Sequence, residues 1–288
     1  MVLRCAVEGQ RRFVLRRLPV SQDPSAADTA AFSKIDSAVP HSARIWNYWL
    51  GGKDNYPVDE EAGDAFRQIF PGITDLARDS RAFLGRAVGH LAKEAGIRQF
   101  LDIGTGLPTA DNTHEIAQRI NPEARIVYID NDPLVLAHAH ALLTSTPEGV
   151  TDYVDADLYD PETVLREASR TLDFTQPVAL TMMQVSGHIA DYQQARSIIG
   201  SLMGALPSGS YFAFNDSVDT NQANAEATRL YNESGAAPYH LRSPEQLAGF
   251  FDGLELLEPG VVPLNEWRPE PGRSPGEVIA LGGVARKP

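Results

Sequence analysis

Two apolar runs in this 288-residue chain end in residues that could hold a ligand. One run stops at Gly104-Thr105-Gly106, and the next stops at Asp130-Asn131. Glycines let a ligand approach the backbone without a Cβ in the way, while backbone N–H groups at a helix start favour polar or anionic groups. A carboxylate at the second place can accept two hydrogen bonds from ribose hydroxyls. The spacing therefore predicts a nucleoside-binding site formed by these five residues.

The same residues also have interpretations that need no bound nucleoside. Thr109 stands where a dinucleotide fingerprint has its third glycine, so that motif is incomplete. A tight turn between a strand and a helix would explain the two glycines without any ligand. Asp130 could be a solvated strand end or a helix cap, although Asp132 before Pro133 fits the cap better.

A third acidic group follows the next apolar run. Asp157 could accept a hydrogen bond from the exocyclic amine of adenine, with the apolar Leu158 against the ring. The alternative is that Asp160 caps the next helix at Pro161 and the nearby acids are only solvated.

The fourth and fifth apolar runs end in polar residues that should face the same cleft. Open parallel sheets bind ligands at the carboxyl ends of their strands, which places Gln184, Val185 and Ser186 there, and also Asn215. His188 could be a general base, because an unperturbed histidine titrates near pH ~6.5, or it could pack against the next helix. The histidines show no metal-ligand spacing, so no metal site is predicted.

An aromatic segment between residues 46 and 56 has two interpretations. It could be a helix that packs on the sheet edge, or a lid whose aromatic bulk and polar turn cover the cleft and touch a substrate. The candidate lid residues are Trp46, Tyr48, Trp49, Lys53, Asn55 and Tyr56.

Composition excludes several classes of protein. The formal net charge of -13 opposes binding of nucleic acid, and no apolar run reaches the ~18 residues of a membrane span. Cys5 is the only cysteine, which excludes a disulfide framework and suits a reducing cytoplasm. Residues 1–32 are predicted to be a flexible tail, 33–77 a helical cap or lid, and 78–288 the main domain.

Apolar runs and helical segments alternate along the main domain. Alternation of this kind predicts a parallel sheet with helices on both faces. Two further strands, 254–264 and 277–285, have no helix between them and should be antiparallel. The predicted parallel strands are 98–103, 125–129, 151–154, 178–183 and 211–214, and the predicted helices 109–120, 133–143, 161–172 and 192–206.

Together these motifs resemble those of class I S-adenosylmethionine-dependent methyltransferases. They are most similar to a bacterial, mostly actinobacterial, family named S-adenosyl methyltransferase and formerly catalogued as a domain of unknown function. The resemblance implies an α/β fold with a Rossmann-like seven-stranded, mostly parallel sheet that ends in the antiparallel pair, plus the N-terminal helical cap. The matching segments are 35–46, 50–56, 100–109, 128–133, 177–180, 237–239 and 267–269.

The resemblance also implies a cofactor, S-adenosyl-L-methionine, and a place for each of its parts. Its ribose would lie at Asp130, its adenine between Asp157 and Leu158, and its sulfonium beside residues 184–187. The residues that would hold its methionine part are Asp102, Gly104 and Gly106.

The leading hypothesis is a methyltransferase that acts on a small molecule, since in-line methyl transfer needs alignment and desolvation more than a marked catalytic motif. A nicotinamide-dependent oxidoreductase would share the glycine turn and Asp130, but Thr109 and the terminal antiparallel strands disfavour it. A cofactor-binding module without turnover is the non-enzymatic alternative. The pattern specifies neither the methyl acceptor nor an oligomeric state.

Overall fold

The structure is a computed structural model that describes residues 36–109, 111–142, 144–269 and 279–288. The predicted tail, 1–32, lies outside the described residues, as do Leu143 of a predicted helix and Glu277 of the last predicted strand. No helix within these described ranges is both long enough and apolar enough to cross a membrane.

The described residues form one mixed sheet in which five parallel strands are followed by antiparallel ones. The sheet order is β3-β2-β1-β4-β5-β8-β6, and β7 pairs with β8. The central strand β1 pairs in parallel with β2 on one side and with β4 on the other, so the carboxyl ends of all three strands meet at one edge. The strands are β1 (Gln99–Ile103), β2 (Arg125–Asp130), β3 (Val150–Asp155), β4 (Ala179–Met183), β5 (Tyr211–Ser217), β6 (Glu255–Leu256), β7 (Val262–Pro263) and β8 (Ala280–Arg286).

Each of the five predicted parallel strands is present within two residues of its predicted start, which confirms the Rossmann-like fold class.

Helices cover the sheet and build the cap. The helices are α1 (Ser42–Trp49), α2 (Pro57–Ile69), α3 (Ile73–Lys93), α4 (Thr113–Ile120), α5 (Pro133–Leu142), α6 (Pro161–Ala168), α7 (Tyr192–Ala205), α8 (Gln222–Tyr231) and α9 (Pro244–Ala248).

The C-terminal strand pair is antiparallel as predicted, but the sheet has eight strands where seven were expected. β8 pairs with β5 along its whole length and with β6 and β7 in turn. The predicted strand 254–264 is therefore interrupted between β6 and β7. Pro259 has no N–H to donate, and Gly260 has a positive φ of 93°, so this stretch forms a turn in which Gly260 N donates to Leu257 O.

Helix α4 begins four residues later than predicted because a side-chain cap stops it. Asn112 and Glu115 form a capping box in which the Asn112 N–H donates to Glu115 Oε2 at 2.8 Å. Asp111, just before the cap, has a positive φ of 57° and so cannot belong to the helix.

Apolar side chains fill both faces of the sheet, because successive strand residues point to opposite sides. Phe100 packs into the core that contains Phe83 and Trp267 under α3, whereas its neighbour Leu101 packs into the core around Phe212. Helix α3 continues through the predicted domain boundary at residue 77, so the cap and the sheet share one helix.

A buried ion pair organises the cap. Arg44 Nε lies 3.3 Å from Asp59 Oδ2, and both side chains are buried. The guanidinium also donates to the carbonyl of Val39 at 2.6 Å, while Asp59 accepts from the backbone N–H groups of His41 and Tyr56, both at 2.9 Å. The pair therefore joins the segment before α1 to the start of α2.

Replacing Arg44 should destabilise the protein strongly. Arg44→Met leaves the Asp59 carboxylate buried without its cation, a loss of about 3–5 kcal/mol in the free energy of unfolding. Urea denaturation measures it, with Arg78→Ala as the control because the Arg78–Asp75 pair is exposed and should change the free energy by less than about 0.5 kcal/mol. Equal losses in the two variants would show that the buried pair does not organise the cap.

Candidate functional site

A cavity of about 310 Å³ lies at the carboxyl ends of the parallel strands, closed on one side by α1. Its size is within the range of pockets that bind small molecules and cofactors. Twelve of the residues singled out from the sequence lie on its wall, and they come from four strand ends and the cap. They are Trp46, Asp102, Gly104, Thr105, Gly106, Asp130, Asn131, Asp157, Leu158, Gln184, Val185 and His188.

The glycine turn needs its glycines for two different reasons. Gly104 and Gly106 both have positive φ, 68° and 63°, which side chains with a Cβ rarely adopt. A Cβ on Gly104 would also lie 2.4 Å from Val185 Cγ2, whereas one on Gly106 would meet nothing closer than 4.0 Å. The turn thus brings β1 against the end of β4 and leaves Gly106 open to the cavity.

Asp130 ties this turn to the end of β2. Its carboxylate, only 9% exposed, accepts from Gly106 N at 2.9 Å and from Asp132 N at 3.0 Å. Burial raises the pKa of Asp130, and the two backbone donors oppose that rise. Each carboxylate oxygen keeps a second acceptor site, so the group can still receive two hydroxyl donors from the cavity.

A buried acid, Asp102, and an arginine, Arg81, also line the cavity. Asp102 accepts from Thr113 Oγ1 at 2.6 Å, and burial raises its pKa while the hydroxyls of Thr113 and Thr181 and the charge of Arg81 lower it. Arg81 reaches the cavity wall from α3, and burial lowers its pKa. Arg81 was not identified from the sequence. The sequence of a helix does not show which strand ends the helix crosses in the folded protein.

The far end of the cavity is framed by the residues that follow β3. Asp157 is exposed and accepts from Tyr159 N at 2.9 Å, and Leu158 is half-buried beside it. Tyr159, also missed from the sequence, is 48% exposed and donates its hydroxyl to His188 O at 3.2 Å. The Tyr159 side chain therefore bridges from the β3 end to the β4 end along the cavity.

Gln184 has a strained backbone and a side chain that is hydrogen-bonded at both its amide nitrogen and its amide oxygen. Its φ of 55° is unusual for a residue other than glycine. Its Nε2 donates to Asn215 Oδ1 at 3.0 Å, while its Oε1 accepts from Ser217 Oγ at 2.8 Å and lies 3.1 Å from the Tyr239 hydroxyl oxygen. Strain of this kind persists where the surroundings hold it, and it is common at functional sites.

Two of the predicted site residues lie behind the cavity wall. Asn215 is fully buried and accepts from Ser80 Oγ at 3.1 Å and from Gln184, so it positions Gln184 and is not a residue of the cavity lining. Ser186 is also fully buried and donates to Asp216 Oδ2 at 2.5 Å.

His188 is held as a neutral base. Its Nδ1 lies 3.0 Å from the Pro238 carbonyl oxygen, which can only accept, so Nδ1 carries the proton and Nε2 keeps its lone pair. Burial lowers the pKa of His188 despite this hydrogen bond. The ring packs edge-on to Tyr239 with centroids 5.1 Å apart, so the capping or packing role and the base role are both available.

Asp216 is a buried acid that anchors the turn after β4. It accepts from Ser186 Oγ, from Gly187 N at 3.1 Å and from the Tyr239 hydroxyl. Burial raises the pKa of Asp216 to about 6, although the Ser186 hydroxyl, the N–H groups of Ser217 and Gly187 and the charge of Arg242 lower it.

The cap residues divide into those that touch the cavity and those that support them. Trp46 lines the cavity, and buried Trp49 donates its indole N–H to Gly63 O at 3.1 Å. Tyr48 donates to Asp64 at 2.7 Å, and exposed Lys53 does not line the cavity.

The polar turn after α1 is held by the cap itself. Asn55 donates to Asn47 Oδ1 at 3.0 Å, and Tyr56 packs under the Arg44 guanidinium with 5.2 Å between its ring centroid and Cζ. His41 Nδ1 lies 2.9 Å from Asp132 Oδ2, which fastens the start of α1 to the end of β2.

A second, smaller cavity continues from the first. It has a volume of about 40 Å³ and lies between the cap, α8 and the segment around Tyr239. Four residues, Ser42, Trp46, Gln184 and His188, line both cavities. Within the described part of the chain, no group of three or more His, Cys, Asp or Glu side chains could hold a metal ion.

A Rossmann-like sheet with an antiparallel C-terminal pair, a glycine turn after β1 and an acid after β2 defines a class of nucleoside-binding α/β domain. The chain belongs to the S-adenosyl methyltransferase family, whose model matches residues 28–288.

Two solved structures are similar over nearly all of their length. A DUF574 family protein from Streptomyces avermitilis MA-4680 is 47% identical, with a TM-score of 0.84 over 88% of this chain and 99% of that one. A protein from Thermobifida fusca YX, provisionally described as a methyltransferase, is 39% identical, with a TM-score of 0.80 over 86% of this chain and 95% of that one. No curated protein matches the chain.

Alanine should be tolerated worse at Gly104 than at Gly106. Both substitutions place a Cβ in the left-handed region, at about 1–2 kcal/mol each, but only Gly104→Ala also pushes into Val185, for about 1–3 kcal/mol more. Urea denaturation of the two variants measures the difference. Equal losses would mean that Val185 moves away freely and that the turn is not braced against β4.

Asp216 should make stability depend on pH in a defined direction. Its folded pKa of about 6 lies above the ordinary value of 3.8, so its contribution is complete below pH 4 and is lost as the pH rises through 6. The free energy of unfolding of the wild type, relative to that of Asp216→Asn, should therefore fall by about 2.4 kcal/mol between pH 4 and pH 7. Urea denaturation at several pH values tests this, and a constant or rising difference would contradict it.

Proposed function

We infer that this protein is a methyltransferase that binds S-adenosyl-L-methionine in the larger cavity and transfers its methyl group to a small molecule. The observation that carries the proposal is the Asp130 carboxylate, which lines the cavity, is bound to the N–H of Gly106 and has a second acceptor site on each oxygen. Membership of the S-adenosyl methyltransferase family supports it.

The donor set of the cavity fits the chemical parts of this cofactor. Asp130 would accept from the ribose hydroxyls, and Asp157 with Leu158 would frame the adenine. An amino-acid end needs a partner for its ammonium and one for its carboxylate, and Asp102 and Arg81 supply these opposite charges on one wall. The end of β4, from Gln184 to Val185, would lie beside the sulfonium.

The protein contributes alignment, exclusion of water and one proton acceptor. When bound, S-adenosylmethionine supplies a methyl group that is already activated on a sulfonium. The cap and Tyr159 enclose the cavity, which desolvates and aligns the groups inside it. His188 lines both cavities, and its Nε2 has a lone pair that can take the proton of an acceptor hydroxyl.

Enclosure by the cap favours a small acceptor. Helix α1 lies directly over the cavity, fastened by the His41–Asp132 contact, and the net charge of -13 opposes a polyanionic substrate. No observation favours the nicotinamide-dependent oxidoreductase. A binding module without turnover would share the cofactor site and differ only in its kinetics.

Replacing Asp130 should weaken cofactor binding selectively. Charge-assisted hydrogen bonds contribute roughly 1.5–3 kcal/mol each, so Asp130→Asn should weaken S-adenosylhomocysteine binding by at least about 100-fold. Calorimetric titration measures this. Asp155→Asn is the matched control, because Asp155 is exposed, ends the neighbouring strand and does not line the cavity.

Two results would contradict the proposal. One is a wild-type protein that fails to bind S-adenosylhomocysteine at several hundred micromolar, and the other is Asp130→Asn binding as tightly as Asp155→Asn. If Asp130→Asn is unfolded, Asp157→Asn gives a milder test, since this exposed acid should contribute about tenfold.

A further inference from the structure

The smaller cavity has the dimensions of a pocket for a single ring. Its volume of about 40 Å³ is room for about three water molecules. It opens from the larger cavity at Gln184 and His188, which line both, and ends among residues of α8 that line only the smaller one. A ligand in it would therefore have one end at the proposed methyl donor and the other end at α8.

Aromatic rings in mutual contact form one wall of this cavity. The ring centroids of Trp46 and Trp49 are 5.7 Å apart, those of Trp49 and Phe66 are 5.2 Å apart, and those of Phe66 and Tyr231 are 6.3 Å apart. Tyr239 stands on the cavity wall too, with its hydroxyl hydrogen-bonded to Gln184 and Asp216. Flat rings held in this way favour a planar, aromatic occupant.

The cavity carries no permanent charge. Among the described residues that line it there is no Asp, Glu, Lys or Arg, and burial lowers the pKa of His188, which keeps that side chain neutral. Burying an ionised ligand without a partner of opposite charge would be costly. The occupant is therefore uncharged when it enters.

One buried donor in the cavity has no partner. Asn224 lines the end formed by α8, is 2% exposed, and its Nδ2 makes no hydrogen bond with any described residue. A buried donor left in this state costs about 1–3 kcal/mol. An oxygen on the ligand at this end would satisfy it.

We propose that the smaller cavity is the acceptor site and that it takes a neutral, single-ring phenol whose hydroxyl faces His188 and whose second oxygen accepts from Asn224 Nδ2. This proposal rests on the proposed function, because the hydroxyl lies at the junction with the cofactor cavity. In the transfer, the phenol O–H gives its proton to His188 Nε2, and the oxygen forms a bond to the methyl carbon. The carbon–sulfur bond breaks with its electron pair left on sulfur, so the products are the methyl ether and S-adenosylhomocysteine.

Two phenols of the same shape test the Asn224 contact directly. In 4-methoxyphenol the para group ends in O–CH₃, and in 4-ethylphenol a CH₂ replaces that oxygen. A neutral hydrogen bond contributes about 0.5–1.5 kcal/mol, so calorimetry should show the wild type binding 4-methoxyphenol roughly 2- to 12-fold more tightly. Asn224→Leu should abolish this preference, and Gln222→Leu, an exposed amide on the same helix, should keep it.

A bicyclic phenol tests the size of the site without any variant. 6-Methoxy-2-naphthol should bind at least about tenfold more weakly than 4-methoxyphenol. Equal binding of the two, no preference for 4-methoxyphenol in the wild type, or a preference that survives Asn224→Leu would each overturn the proposal. S-adenosylhomocysteine is titrated in parallel: if it binds and the phenols do not, the acceptor site is wrong while the proposed function stands, and if it fails to bind, the function itself is wrong.

Discussion

The hydrogen bond from the Gly106 N–H to the Asp130 carboxylate joins the two strand ends on which the rest of the site depends. The parallel pairing of β1 with β2 makes it possible, because it sets Ile103 beside Ile129 and so brings both loops to the same edge. The same carboxylate receives the Asp132 N–H, and Asp132 in turn meets His41 of the cap. One acidic side chain thus fixes the glycine turn, the β2 end and, through its neighbour, the position of α1.

The cap is built as firmly as the sheet it covers. Arg44 and Asp59 form a buried ion pair, and the backbone groups around them complete its hydrogen bonds. Helix α3 passes from the cap onto the sheet without a break. A cap attached in this way places Trp46 on the cavity wall through packing, so α1 is a packed helix that also covers the cavity.

The parts of the fold and of the site that depend on short-range signals could be predicted from the sequence. The parallel strands, the glycine turn and Asp130 are readable because apolar runs, positive-φ glycines and strand-end acids are local features. Arg81, Tyr159 and Asn224 could not be predicted, since their roles depend on where a distant helix or loop crosses the sheet edge. The break between β6 and β7 also has a local signal, the dipeptide Pro259-Gly260. The prediction of one continuous strand followed the apolar residues of the segment and gave this dipeptide too little weight.

Gln184 has a consequence for how the two cavities communicate. Its side chain forms part of both walls, and hydrogen bonds from and to Asn215, Ser217 and Tyr239 hold it in one orientation. A molecule in one cavity that displaced this amide would change the surface met by a molecule in the other cavity. Such a displacement would couple the two cavities, and thermodynamic reciprocity would then require each occupant to alter the affinity of the other by the same factor.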